Sequence, residues 1–170
     1  MFIREINKTE YALLENFLYH AVFVPPGEEP PPRDVIKEPT ISLYIDGFGE
    51  KRGDCGVVAE IEDINPSPYS LRKKIVGAAW TRIIPAYGHI DDDTPELSTS
   101  VLPAYRGRGV GMALMTRLFE LLRERGFTQT SLAVQQKNDA VRFYQRLGYE
   151  TIRENDEEYI MVKDLTVRKA

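Results

Sequence analysis

The sequence predicts a mixed α/β domain, and three observations carry that prediction. Short blocks rich in β-branched residues alternate with longer stretches whose apolar residues recur at helical spacing. Near the middle, a strand–helix–strand unit surrounds a glycine loop, a connection that brings the two strands parallel. The length of 170 residues fits one domain spanning 1–170, enough chain to bury about two-thirds of its unfolded surface.

The elements follow in order. Met1 to Ile6 alternates like a strand. Glu10 to Val22 carries Leu13, Leu14, Phe17, Leu18 and Ala21 at helical spacing, with Thr9 placed to cap it. Pro25 to Pro32 cannot be regular helix, because proline lacks an N–H and fixes φ; it reads as an extended loop that shapes a pocket edge. Pro39 starts a short helix through Ile41, Tyr44 and Ile45 that Gly47 ends. Cys55–Ile61 and Lys74–Ile84 read as an antiparallel pair of strands, with turn chemistry in Asn65-Pro66-Ser67-Pro68 between them. Glu96–Leu102 is the next strand, closed by Pro103. A helix from Val110 to Arg125 then presents Leu114, Met115, Leu118, Phe119, Leu121 and Leu122 as one stripe, and Gly126 caps it. Ser131–Val134 is a strand, Asp139–Leu147 a helix closed by Gly148, and Tyr149–Arg153 and Glu158–Lys163 are the last two strands.

Composition narrows the classes of function. The net charge of −4 argues against a nucleic-acid binder driven by bulk charge. No run approaches the roughly 18 to 20 apolar residues of a membrane span, and the N-terminus lacks the apolar segment of a secretory signal. Cys55 is the single cysteine, so there is neither an intrachain disulfide nor a cysteine metal cluster; a buried structural thiol is the expectation. A cytoplasmic location is the default. Arg72-Lys73-Lys74 reads as a solvated loop or the beginning of a strand.

The chemistry concentrates in Arg106-Gly107-Arg108-Gly109-Val110-Gly111 at a strand-to-helix junction. Glycines let a backbone turn tightly and bring its N–H groups close to a ligand. A helix N-terminus adds unsatisfied donors and partial positive charge, which together suit a phosphate or pyrophosphate. Arg106 and Arg108 add formal charge in a fork that can grip phosphate oxygens. Met112-Ala113 stand where a Walker A loop needs Lys-Ser/Thr, and the third glycine comes one residue too early for a dinucleotide loop.

At this point the sequence resembles the GNAT family of N-acetyltransferases. Arg106, Gly109 and Gly111 match the family's Arg/Gln-x-x-Gly-x-Gly/Ala coenzyme motif. Asn138-Asp139-Ala140-Val141-Arg142-Phe143-Tyr144-Gln145-Arg146-Leu147-Gly148-Tyr149 resembles its Asn-x-x-Ala-x-x-Phe-Tyr-x-x-x-Gly-Phe/Tyr segment. The resemblance is sharp over residues 96 to 163. It implies a mostly antiparallel twisted sheet of about six to seven strands with about four flanking helices. The fourth and fifth strands, Glu96–Leu102 and Gln129–Val134, would run parallel and splay apart.

The same resemblance implies an N-acetyltransferase that moves an acetyl group from acetyl-CoA, as cosubstrate, to a primary amine. The amine attacks directly in a ternary complex, with no acyl-enzyme and no metal. The pantetheine arm would pair near Val101 and Leu102. Backbone amides of Gly107, Arg108, Gly109, Val110, Gly111 and Met112 would hold the pyrophosphate beside Arg106, and Asn138 would contact the coenzyme. Tyr144 is the matched general acid, since a phenol with a pKa near 10 can donate to a thiolate of similar basicity; packing on its helix face is the other use of the ring. Glu96 is where many members carry an acidic residue, here the candidate general base, against a solvated strand-end glutamate. His89 could serve instead, and Asp91-Asp92-Asp93 could attract a cationic amine, or a metal, or be a solvated turn.

The acceptor, a small molecule or a peptide amine, is left open. Tyr19, His20, Phe23 and Tyr44 could line its pocket or pack a core. A homodimer is compatible with the sequence. The reading from a different class is an acyl-CoA-binding sensor without turnover; another is a nucleotide-binding protein using the same loop.

Overall fold

The computed structural model describes residues 1–63 and 72–166, so the expected turn at Asn65–Pro68 lies outside the described residues. The alternating and β-branched blocks become β1 (Phe2–Glu5), β2 (Cys55–Asp63), β3 (Arg72–Arg82), β4 (Glu96–Val101), β5 (Gln129–Gln135), β6 (Glu150–Glu154) and β7 (Glu158–Asp164). They form one seven-stranded sheet in the order β1-β2-β3-β4-β5-β7-β6. Neighbours are antiparallel except β4 and β5, the parallel pair. The helices are α1 (Leu14–Ala21), α2 (Pro39–Ser42), α3 (Val110–Glu124) and α4 (Ala140–Arg146). Among the described residues, no helix is long and apolar enough to cross a membrane.

Two apolar clusters cover the two faces of the sheet. On one face, Leu114, Met115, Leu118 and Leu122 of α3 are 0% exposed against Val57, Ala59 and Val76 of β2 and β3, and Phe143 and Tyr144 of α4 pack at the margin. Each such aliphatic side chain contributes about 1.5–3 kcal/mol by leaving water. On the other face, Phe17 and Leu18 of α1 meet Val58, Ala78 and Trp80. The Ser100 hydroxyl donates to the Phe17 carbonyl at 2.6 Å and ties α1 to β4.

The first helical segment differs from the sequence expectation. Lys8–Leu13 is a 3-10 helix that leads into α1, and Thr9 lies inside its first turn. The start is set at Asn7, whose amide donates to the Glu10 carboxylate at 2.9 Å, while the Glu10 amide donates to the Asn7 carbonyl at 2.9 Å. Arg4 grips Glu10 at 2.6 Å and Glu60 at 2.8 Å, so the register follows from an ion pair to β1 and β2 that local pattern cannot reveal. Arg72, Lys73 and Lys74 open β3 as exposed side chains, with Lys73 3.3 Å from Glu60.

One charged pair is buried in this face. Arg82 Nε donates to Asp54 Oδ1 at 2.9 Å, and its side chain is 2% exposed while that of Asp54 is 0%. The same guanidinium donates to the Leu43 carbonyl at 3.0 Å and to the Asp46 carbonyl, so the chain after α2 is pinned to β3. Removing one partner of a buried pair leaves an uncompensated charge, at a cost of about 3–5 kcal/mol. Asp54→Ala should lose about that much unfolding free energy in urea titration, with α2 and the residues after it the first segment to lose amide-exchange protection.

Candidate active site

The parallel strands β4 and β5 pair at one register position, Glu96 with Ser131, and no further. The Ser131 amide donates to the Pro95 carbonyl at 3.0 Å, and Thr130 Oγ1 donates to the same carbonyl at 2.8 Å. Beyond that point the strands diverge and leave a gap in the sheet. Gly88 closes its narrow end. A Cβ there would lie 2.8 Å from the backbone of Leu132 and Ala133 and 2.9 Å from the Glu96 carboxyl carbon, which only glycine avoids.

Glu96 stands at the closed end of the gap, 2% exposed. Tyr44 donates its hydroxyl proton to Glu96 Oε2, and Oε1 is buried without a hydrogen-bond partner among the described residues. Burial disfavours the charged carboxylate and pushes Glu96 up to about 7, with Glu158 of β7 adding like charge. The Tyr44 hydroxyl and the Gly88 backbone act in the opposite direction. Burial first, then the Glu96 charge, drives the Tyr44 phenol far above its ordinary range, so it remains a donor.

The glycine loop approaches from the open end. Gly107 and Gly109 have φ of 73° and 80°, in the left-handed region that favours glycine, and Gly109 is the residue that caps α3. The turn leaves the amides of Gly107, Arg108, Gly109, Val110, Gly111 and Met112 without an acceptor among the described residues; the first paired amide is that of Ala113, to Gly109. Arg106 and Arg108 are exposed beside them, and Arg106 Nε donates to the Val101 carbonyl at 2.9 Å. Six unpaired donors at the start of a fifteen-residue helix, with two guanidinium groups, form a cradle that fits a pyrophosphate.

The other residues singled out in the sequence divide between the two faces. Tyr144 is half-buried on the α3–α4 face, between Phe143 and Tyr149 at ring-centroid distances of 5.6 and 5.8 Å. Burial pushes its phenol up to about 12, and its hydroxyl makes no hydrogen bond among the described residues. Glu96 faces the α1–α2 side with Tyr44, Trp80 and Ser100, so the two candidate catalytic groups approach the gap from opposite faces. Val101 and Leu102 line the open edge, where the Leu102 amide donates to Val76 at 2.8 Å and is already used. Asn138 Oδ1 accepts from the Ala140 amide at 2.9 Å at the start of α4, and its side-chain NH2 makes no hydrogen bond among the described residues.

Tyr19 and His20 are in edge contact at 5.5 Å, and the Tyr19 hydroxyl donates to the Pro31 carbonyl at 2.7 Å, fixing the proline-rich loop to α1. His89 sits beside Gly88, its Nδ1 buried and without a hydrogen-bond partner among the described residues. Asp91, Asp92 and Asp93 are exposed; Asp91 accepts from the Asp93 amide at 2.9 Å and Asp93 lies 3.2 Å from Arg52. No group of three or more acidic, histidine or cysteine side chains is arranged to hold a metal among the described residues. Cys55 is 1% exposed in the core under α3, and burial raises its thiol, the condition of a structural side chain. Sequence reasoning missed the contact of Tyr44 with Glu96 and the role of Glu158, since residues 44, 96 and 158 share no local pattern.

Comparison with known proteins bears on this geometry. A family model described as the Acetyltransferase (GNAT) family matches residues 26–149. A glucosamine 6-phosphate N-acetyltransferase from Trypanosoma brucei brucei is 30% identical over 118 residues, covering 65% of this chain and 71% of that protein. An acetyltransferase from Pectobacterium atrosepticum is 45% identical over 53 residues, which is 31% of this chain and 38% of that protein. Among solved structures, a Salmonella typhimurium protein with its cofactor acetyl-CoA superposes with a TM-score of 0.66 at 19% identity, covering 100% of this chain and 96% of that one. The ribosomal-protein-S18-alanine N-acetyltransferase from Escherichia coli gives 0.62 at 18%, covering 99% and 96%. These two share the fold.

The raised Glu96 has a consequence for stability. Its folded value of about 7 lies above the ordinary 4.5, so its contribution is present below pH 4.5 and is lost as pH rises through 7. Glu96→Gln removes that loss. The variant's melting temperature should exceed the parent's by more at pH 8.5 than at pH 5 in thermal unfolding.

Proposed function

The chain belongs to the GNAT acetyltransferase family, and from that premise we propose that it is an N-acetyltransferase acting on a primary amine by direct attack in a ternary complex. Bound acetyl-CoA supplies the acyl group as a thioester. The single observation that carries the reading is the gap between β4 and β5, with an anion cradle at one end and a buried, partly unpaired carboxylate at the other. The amides from Gly107 to Met112, with Arg106 and Arg108, hold the pyrophosphate. Val101 and Leu102 flank the pantetheine arm, and Asn138 can donate its side-chain NH2 to it.

The chain's own groups then divide the proton chemistry. Glu96 takes a proton from the acceptor amine; a carboxylate raised to about 7 is a stronger base than an ordinary one and is still ionised in part at neutral pH. Tyr144, raised to about 12, keeps its proton until a departing sulfur needs it, and the burial that raises the phenol raises a thiolate placed beside it as well. A buried base tuned to neutral pH serves turnover and has no use in a sensor, which favours the enzyme. Glu96 and Glu158 make the acceptor side acidic, which suits an amine that arrives as a cation. The cytoplasm as its location and a homodimer as its assembly are part of the same proposal.

An acceptor screen that follows thiol release from acetyl-CoA over amines, amino sugars and peptides tests the reading; no release with any acceptor, despite coenzyme binding, would count for the sensor. Tyr144→Phe should keep coenzyme affinity in calorimetry and lose roughly 100-fold or more in kcat; unchanged turnover removes Tyr144 from the acid role. Gly109→Glu should abolish coenzyme binding in the same calorimetry, because it sets bulk and negative charge at a left-handed position inside the cradle. In the parent protein, kcat/KM should rise with pH to a plateau with its half-point near 7, as Glu96 ionises.

A further inference from the structure

The two oxygens of the Glu96 carboxylate stand in different circumstances. Oε2 accepts the Tyr44 hydroxyl, whereas Oε1 is buried and has no hydrogen-bond partner among the described residues. Tyr44 does not reach Glu96 from a loose loop. Its carbonyl accepts the indole N–H of Trp80 at 3.0 Å, and Trp80 is 1% exposed. The preceding Leu43 carbonyl accepts from Arg82 at 3.0 Å, and Arg82 is held in turn by Asp54. The segment after α2 therefore presents its phenol to β4 from a backbone fixed at two successive carbonyls.

We infer that Tyr44 is a positioning residue for the base: by holding Oε2 it fixes the carboxylate, leaves Oε1 as the atom that takes the acceptor's proton, and sets the pH at which that atom becomes available. The inference rests on the reading of Glu96 as general base.

The groups around Glu96 come from several elements. Glu158 of β7 adds negative charge, and the Gly88 backbone and His89 approach from the loop before β4. Arg82 is opposite on β3, its charge matched by Asp54, and Ser131 of β5 gives its hydroxyl to the Gly88 carbonyl at 2.7 Å. Among the described residues, Tyr44 is the side chain that donates a hydrogen bond to this carboxylate. A donor stabilises the charged form. Its loss therefore moves the Glu96 midpoint up, and a more acidic phenol in its place moves the midpoint down. A purely structural side chain would give no such pair of opposite signs.

The test reads Glu96 directly by carbon-13 NMR of glutamate side-chain carboxyls, with Glu96→Gln used to assign the resonance. Tyr44→Phe should raise the midpoint by about 1 to 2 pH units, the worth of a hydrogen bond to a charged group. Site-specific 3-fluorotyrosine at position 44 should lower it. A folded Tyr44→Phe protein with the parent's midpoint overturns the inference. If that variant does not fold, the fluorotyrosine protein decides alone: a lowered midpoint supports the inference and an unchanged one overturns it. Kinetics with acetyl-CoA and the best amine of the screen separate this from the reading beneath it. Tyr44→Phe should lose about tenfold in turnover at pH 7 and recover at higher pH, with KM for acetyl-CoA unchanged. Full turnover in Glu96→Gln would remove the base reading and this inference with it. Lost turnover in Glu96→Gln, with an unmoved midpoint in Tyr44→Phe, would remove the positioning role alone.

Discussion

Two parallel strands that meet at one pair of residues and then part create the central constraint of this molecule. A sheet is normally closed by its ladder of hydrogen bonds, and a break in the ladder leaves backbone groups without partners. Here contacts at the margins of the gap stabilise the break. Ser131 and Thr130 clamp β5 to Pro95, Gly88 packs against the backbone of Leu132 and Ala133, and Arg106 reaches back to the Val101 carbonyl. Each of these contacts also places a group that the proposed chemistry uses or adjoins. The gap joins two faces that otherwise have separate cores, one under α3 and α4 and one under α1 and α2.

That separation explains the electrostatics. Tyr144 and Glu96 lie on opposite faces, each raised by burial, the phenol to about 12 and the carboxyl to about 7. Neither is surrounded by charges that would cancel the effect of desolvation. The Arg82–Asp54 pair shares a face with Glu96, yet the two neutralise one another at 2.9 Å and serve to hold the chain after α2. With the Arg82 charge matched by Asp54, desolvation and the like charge of Glu158 keep the basicity of Glu96 high. The cost appears as stability lost when Glu96 ionises, a common bargain where a site needs a strained or desolvated group.

Much of this was legible in the chain itself. The element order and the ends of most strands and helices follow from period and punctuation, as with α3, whose buried stripe and Gly126 cap were both visible. The glycine loop was legible because its function is a backbone property: glycine frequency, a helix start and two arginines suffice to expect free amides, and six are found. The Thr9 cap was misplaced for the opposite reason. Its competitor, Asn7 with Glu10, is selected by Arg4 across two strands.

The sequence alone determined a mixed α/β chain with an anion-binding junction and a resemblance that names the donor, because periodicity, glycine and short motifs act over a few neighbouring residues. Only the tertiary structure decided what stands at the other end of the gap. Tyr44, Gly88, Glu96 and Glu158 belong to separate segments, and no local rule relates a residue after a four-residue helix to the first residue of a strand 52 positions later. Their meeting depends on a sheet that brings β4 beside β5 and β7 next to it, and on a buried ion pair that fixes the chain carrying Tyr44. Basicity at Glu96 is a property of that assembled, water-poor place and of no stretch of sequence within it.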